Sequence, residues 1–392
     1  MKKDKINNIF MLIMFFCLLA YGMLALIRTP KEISYTENRN LNKFQQFTAK
    51  GFIDGTYQTG LENAFTDQFI GGGRIKDFMN KNLNLSKAVM DSEWLCGNQY
   101  LSIGGGYYTY DCQNMIVDYP YANITDEKYF KRIGSEYSKL HDKANFYYYY
   151  IPTTANFDLR KNEMVVDVPN LIKSNWTGNY TIKSLEIKDS ETINDYFYKT
   201  DHHWNYKGAY EGYKDIIKML NPSANILKPI EEKKFNTIFY GSRARVTSFY
   251  EYAEEFKVYR FEFPKFEVFV NGEKSSYGNE EEYYKGIYSK NDTTNHYGTY
   301  YGGDYPEIVF INPNKKQKNI LVLGNSFTNA INKMIATEYD ETYIVDLRHY
   351  EGHFGKKFNI ESYIKENDID DVLVVMEWWY INGAEFDMWG DK

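Results

Sequence analysis

Nineteen consecutive residues, Ile9 to Ile27, carry no charge, and beyond them the chain alternates short apolar or aromatic runs with polar stretches. The first block approaches the ~20 residues a helix needs to cross a bilayer. Lys2, Lys3 and Lys5 precede it. The positive-inside bias therefore predicts a cytoplasmic tail over 1–5, a transmembrane signal anchor over 6–27, and an extracytoplasmic remainder. A cleaved signal peptide is the alternative, because its apolar core needs only ~7–15 residues and Ala20 or Gly22 could mark a cut. Residues 28–60 are polar and irregular, which predicts a stalk or docking segment ahead of a domain over 61–392.

Within that domain the runs Asn145–Ile151, Asn319–Leu323, Thr342–Val345 and Asp371–Met376 are apolar or aromatic without alternation. Such runs suit strands buried on both faces of a parallel sheet. Helical patterns at about 327–338 and 358–367 separate the last three, so an α/β fold with helices on both faces is expected, its ligand site at the carboxyl ends of the strands. Further helices are predicted from 61 to about 87, through Leu61, Phe65 and Phe69, and over about 126–143, where Thr125 and Asp126 supply capping chemistry. Another covers Lys207–Leu220, with Tyr213, Ile216, Ile217 and Leu220 on its buried face. From about 230 to 312 the segments become β-type, joined by turns such as Asn271-Gly272, which predicts an antiparallel β-rich insertion.

Composition narrows the function classes. A net charge of −7 and the lack of a long basic run exclude nucleic acid as a partner. The 38 tyrosines fit the bias of an AT-rich bacterial genome rather than a function. Cys17 lies in the apolar block, leaving Cys96 and Cys112 either to pair outside the cytoplasm or to sit as small buried apolar residues. No Cys/His spacing resembles a structural zinc site.

The chemistry concentrates at two places. Asp201-His202-His203-Trp204 brings two of only six histidines beside a carboxylate, just ahead of the helix over 207–220. Gly324-Asn325-Ser326-Phe327 follows a buried-type strand, where a serine hydroxyl would stand above the sheet edge and the amides of the next helix would face an oxyanion. Asn325 or Ser326 could instead simply cap that helix. In a locally extended segment Asp201 and His203 would fall on one side, supplying an orienting carboxylate and a base for Ser326, with His202 directed elsewhere. Asp, His and His are also good metal ligands, but three consecutive residues rarely converge on one ion, and the spacing of His141, His296, His349 and His353 completes no site. No metal and no cofactor is therefore expected.

Thr200-Asp201-His202-His203-Trp204, followed by Gly208-Ala209, resembles the signature of the DHHW protein family and of the related alginate O-acetyltransferase proteins. Glu37-Asn38-Arg39, Asp67-Gln68-Phe69, Gly241-Ser242, Tyr301-Gly302-Gly303-Asp304 and Asp346-Leu347-Arg348 fall where that family has similar short motifs. The resemblance implies a circularly permuted SGNH-hydrolase-like fold, with Ser326 as nucleophile, His203 as general base and Asp201 as its orienter. Two departures stand out. The family often has Asp in place of Asn325, and Asn in place of Asp304, where an ionised carboxylate accepts but cannot donate to an oxyanion. Arg348, Gly303, Trp204 and Tyr301 are candidates for oxyanion or substrate contacts, and the Trp378-Trp379 pair for a sugar platform. The resemblance also implies O-acetylation of a cell-envelope or secreted polysaccharide, with a multispanning membrane acyltransferase supplying acetyl groups. A carbohydrate acetylesterase or a non-catalytic glycan-binding scaffold would use the same constellation.

Overall fold

A computed structural model describes residues 27–34, 39–69, 100–110, 113–120, 142–277, 294–314 and 316–377, with scattered positions elsewhere. The chain forms two compact units, Met1–Trp94 and Leu95–Lys392. In the first, Thr48 caps the helix Ala49–Asp54 by accepting from the Gly51 N–H at 3.1 Å. Gly55, at φ +84°, turns the chain directly into a second helix, Thr56–Gln68. Part of the stretch expected to be irregular is thus helical. Among the described residues no helix is long and apolar enough to cross a membrane. Most of the predicted anchor, the helix over 126–143, Cys96, Cys112 and Trp378-Trp379 lie outside the described residues.

The second unit is built on an eight-stranded sheet. Its strands are β1 (Asn145–Tyr150), β2 (Tyr180–Ser184), β3 (Glu267–Val270), β4 (Glu273–Ser275), β5 (Glu307–Ile311), β6 (Asn319–Leu323), β7 (Glu341–Val345) and β8 (Asp371–Met376), in the spatial order β4-β3-β5-β7-β6-β8-β1-β2. The strands from β7 to β2 are parallel, and β3, β4 and β5 extend the sheet antiparallel. The sheet is therefore mixed. Only part of the expected β-rich insertion stands apart, as the ribbon of Glu231–Phe239 on Glu254–Arg260. The rest joins the main sheet through β5.

Two cores explain why the parallel strands read as unbroken apolar runs. Tyr149, Ile320, Val322, Ile344, Leu373 and Val375 face one way, packing with Tyr213, Ile216 and Ile217 of α1 (Tyr206–Leu220). Tyr148, Tyr150, Leu321, Leu323, Val372 and Val374 face the other, against Ile172, Trp176, Ile360 and Ile364. Helices cover both sides, so successive side chains are buried alike. Ser326 sits just past the carboxyl end of β6, which lies between the parallel partners β7 and β8.

Candidate active site

The serine turn is shaped by Gly324 and Asn325. A Cβ on Gly324 would lie 2.2 Å from Thr328 Cγ2, so only glycine lets the turn close this tightly. Asn325 then takes two amides, its side-chain oxygen accepting from the Phe327 N–H at 3.1 Å and its carbonyl from the Thr328 N–H at 2.9 Å. The helix expected over 327–338 is accordingly a 3₁₀ turn, Thr328–Ala330, followed by the short helix Asn332–Ala336. The amides expected to hold an oxyanion are consumed inside the turn. The Ser326 N–H itself makes no hydrogen bond among the described residues and is the amide left for that purpose.

The histidine segment is a pinched loop rather than an extended strand. Phe197 and Trp204 form an isolated antiparallel bridge that closes it. Asn205 caps α1 by accepting from the Lys207 and Gly208 N–H groups at 2.9 and 3.2 Å. Trp204 is fully buried, its indole N–H donating to the Phe327 carbonyl at 3.0 Å, which bolts the loop to the serine turn. So placed, Trp204 cannot touch a substrate.

The two loops meet side chain to side chain. Ser326 Oγ lies 2.7 Å from His203 Nε2, and His203 Nδ1 lies 2.6 Å from Asp201 Oδ1. An ionised carboxylate only accepts, so the imidazole proton sits on Nδ1 and the serine hydroxyl donates to Nε2. Burial alone would raise the Asp201 carboxyl, but the two imidazoles and the Ser242 N–H, donating to Oδ2 at 2.6 Å, hold it well below the usual range. Tyr297 stacks on His203 with centroids 3.9 Å apart and planes 11° from parallel, and its hydroxyl donates to the Ser326 carbonyl at 2.9 Å. His202 turns to Ser242 Oγ at 2.7 Å, and desolvation with His203 alongside pushes its pKa down, keeping it neutral.

A second layer fixes Asp201. Glu254 accepts from the Lys199 and Thr200 N–H groups, at 2.9 and 2.8 Å, and from the Thr200 hydroxyl. That hydroxyl in turn accepts from the Gly241 N–H at 2.9 Å. Burial lifts Glu254 to about 7 despite these donors. Buried Arg243 donates to the Asp201 and Ile116 carbonyls at 3.1 and 3.0 Å and pairs with Asp118. Glu254, Tyr297 and Arg243 carried no local signal in the sequence, and Gly241-Ser242 appeared only as one short motif of the family resemblance.

The remaining candidates separate. Arg348 is clamped by Asp346, through Nε at 2.9 Å, and by Asp304, through Nη2 at 3.1 Å, so its guanidinium is already paired. Asn329 donates its side-chain amide to the Gly303 carbonyl at 3.1 Å and to Asp304 at 2.9 Å, while its backbone N–H donates to the Ser326 carbonyl at 3.3 Å. Gly303, at φ +73°, is thereby tied to the serine turn, and Tyr301 packs on Tyr297 at 4.9 Å. Asp201-His202-His203 and Asp304-Asp346-His349 are close enough to share an ion. In the first, Asp201 and His203 are already committed to each other and to Ser326; in the second, Arg348 is paired with both carboxylates.

A hydroxyl, a base aligned on it, a buried carboxylate behind the base and an amide beside the hydroxyl are the parts that serine acyl transfer requires. The chain matches no curated protein sequence. In fold it resembles Bacillus cereus PatB1 with a sulfonyl adduct, at 21% identity over 74% of this chain and 99% of that one, with a TM-score of 0.56. It also resembles a DHHW family protein from Eubacterium siraeum, at 18% identity over 74% of this chain and 95% of that one, again with a TM-score of 0.56. The O-acetyltransferase domain of Pseudomonas putida AlgJ aligns more distantly, at 10% identity over 65% of this chain and 82% of that one, with a TM-score of 0.36. The model of the DHHW protein family matches residues 96–345. This chain is a member of the DHHW protein family.

Proposed function

We propose that this protein is an extracytoplasmic, membrane-anchored O-acyltransferase that moves an acyl group, most simply acetyl, onto hydroxyls of a polysaccharide. The observation that carries this is the continuous line from Asp201 Oδ1 through His203 to Ser326 Oγ, at 2.6 and 2.7 Å. In the first half-reaction Ser326 Oγ attacks the acyl carbonyl of the donor, and its proton passes to His203 Nε2. The carbon–oxygen bond to the leaving group breaks, and His203 returns that proton to the departing oxygen. A sugar hydroxyl, deprotonated by His203, then attacks the acyl-serine; the ester to the sugar forms and the proton returns to Ser326. The Ser326 N–H and the Gly303 backbone are the candidates to hold the oxyanion. Asp201 stays ionised throughout and stabilises the imidazolium.

The lysines before the apolar block support placement outside the cytoplasm. Acetyl donors are made inside the cell, so a multispanning membrane acyltransferase is the partner that would deliver the group. Water in place of sugar would make the same centre an acetylesterase.

Incubation with a sulfonyl fluoride followed by peptide mass analysis should place one sulfonyl group on Ser326 and none on the Ser326→Ala chain. An activated acetyl ester should turn over at least a hundredfold faster with the native protein than with Ser326→Ala or His203→Ala. Equal rates would rule out the enzyme. Mass gain by an oligosaccharide given an acetyl donor marks transfer, and mass loss from an acetylated one marks the esterase.

A further inference from the structure

Near the triad lies a narrow cleft of about 60 Å³ whose walls are mostly aromatic, with Tyr210, Tyr259, Phe261, Phe263 and Tyr301 among them. None of the three triad side chains lines it, but two of its wall residues touch the groups around them. Asn329 lines it and donates to the Ser326 carbonyl, and Tyr301 lines it while packing on the Tyr297 ring that stacks on His203. The rings are held before any ligand arrives. Tyr259 meets Tyr206 edge-on at 4.7 Å and Tyr210 at 5.5 Å, and the hydroxyls of Tyr210 and Tyr277 donate to the Leu227 and Tyr301 carbonyls. With those hydroxyls turned to the protein, the wall offers ring surface.

A second cavity, of about 470 Å³, shares Phe261, Phe263, Tyr277 and Lys333 with the first and continues past Lys265 and Phe266. The second falls within the ~300–1,000 Å³ range of small-ligand sites, and the first prolongs it as a narrow aromatic cleft. Resting on the acyl-transfer function proposed above, we infer that this trough binds the acceptor as a chain of sugar units and feeds one hydroxyl at a time to Ser326. Rigid aromatic faces match the apolar C–H face of a pyranose, as tyrosine and tryptophan do wherever one side of a ligand is apolar and the rim is wet. Lys333, whose ammonium lies 4.4 Å from the Phe263 ring centre, and the Asn329 side chain supply polar contacts for that rim. A tunnel for an acyl chain would instead be walled by branched aliphatics, and in the first cavity only Ala209, Ala330 and Met334 are aliphatic.

Calorimetric titration of the full chain carrying Ser326→Ala tests this without needing catalysis. The probes are linear tetrasaccharides of glucose, of N-acetylglucosamine and of a uronic acid, each beside its monomer, with octanoate as the acyl-chain probe. At least one tetramer should bind tenfold or more tighter than its monomer. Adding Tyr259→Ala or Phe263→Ala should weaken that tetramer at least tenfold, while Tyr259→Phe, which keeps the ring, should hold within threefold. No tetramer binding, equal affinity for monomer and tetramer, or full affinity in the alanine variants would overturn the trough, as would octanoate binding tighter than every tetramer. The length dependence needs no trough variant to fold. Tetramer binding without ester turnover by the native chain would sink the catalytic proposal alone; turnover without binding would sink the trough alone.

Discussion

In the proposed mechanism Ser326, His203 and Asp201 do work that their neighbours cannot share. Asp201→Asn keeps the shape but puts a donor where the Nδ1 proton must be accepted, so kcat for ester turnover should fall about 10²–10⁴-fold with little change in melting temperature. Glu254 makes a pH test. Its folded value of about 7 lies above the ordinary 4.5, so the native state holds this proton more tightly than the unfolded chain. Its contribution to stability is complete below about pH 4.5 and is lost as pH rises through 7. The stability of Glu254→Gln relative to the native chain should therefore improve by roughly 1–3 kcal/mol between pH 5 and pH 8, whatever constant offset the amide introduces. Denaturant unfolding at four pH values checks this, and a flat difference would contradict it. Asp201, His203 and Ser326 were legible because few residue types perform this chemistry. Glu254 and Tyr297 were not, because a glutamate 54 residues from its partner and one tyrosine among 38 carry no local mark.

At the level of elements, close backbone approach sets the site. A Cβ on Gly241 would fall 2.3 Å from Asp201 Cβ and 2.6 Å from its backbone, atoms that cannot swing away. Gly241→Ala should cost about 1–3 kcal/mol by overpacking and lower kcat at least tenfold by shifting the carboxylate, seen as reduced melting temperature and reduced ester turnover together. The four central strands were readable from unbroken apolar runs because both sheet faces are covered. β2 escaped because an edge strand alternates, its residues half-buried and exposed in turn. The helix after Ser326 was overestimated because Asn325 captures the amides that would have begun it. The β-type texture of the stretch that holds β3 and β5 was visible, but the choice of partner was not: the cross-strand pairing of β5 with β7 converts an expected insertion into sheet.

Across the whole molecule, Arg243 links the Met115–Asp118 strand, through the Ile116 carbonyl and Asp118, to the Asp201 carbonyl. Arg243→Ala leaves Asp118 and two carbonyls without their cation and should destabilise the fold by about 3–5 kcal/mol, measurable as a lower denaturation midpoint. In cells, the uncharged run from Ile9 to Ile27 should keep the intact protein in the membrane fraction after alkaline carbonate, with the residues beyond it open to protease from outside. Release by carbonate would favour a cleaved leader.

The order of residues by itself determined the α/β class, the central strands and the three side chains that meet at the candidate site, since burial on two faces and the chemistry proposed for that site each demand particular residue types in particular runs. Only the tertiary structure decided that β3, β4 and β5 belong to the main sheet, that Trp204 is a buried bolt, that Arg348 is already paired, and that aromatic side chains from distant segments line one cleft. Those outcomes depend on contacts between residues 30 or more positions apart in the chain, such as Ile311 with Glu341 and Trp204 with Phe327, and packing selects such partners in a way no local pattern records.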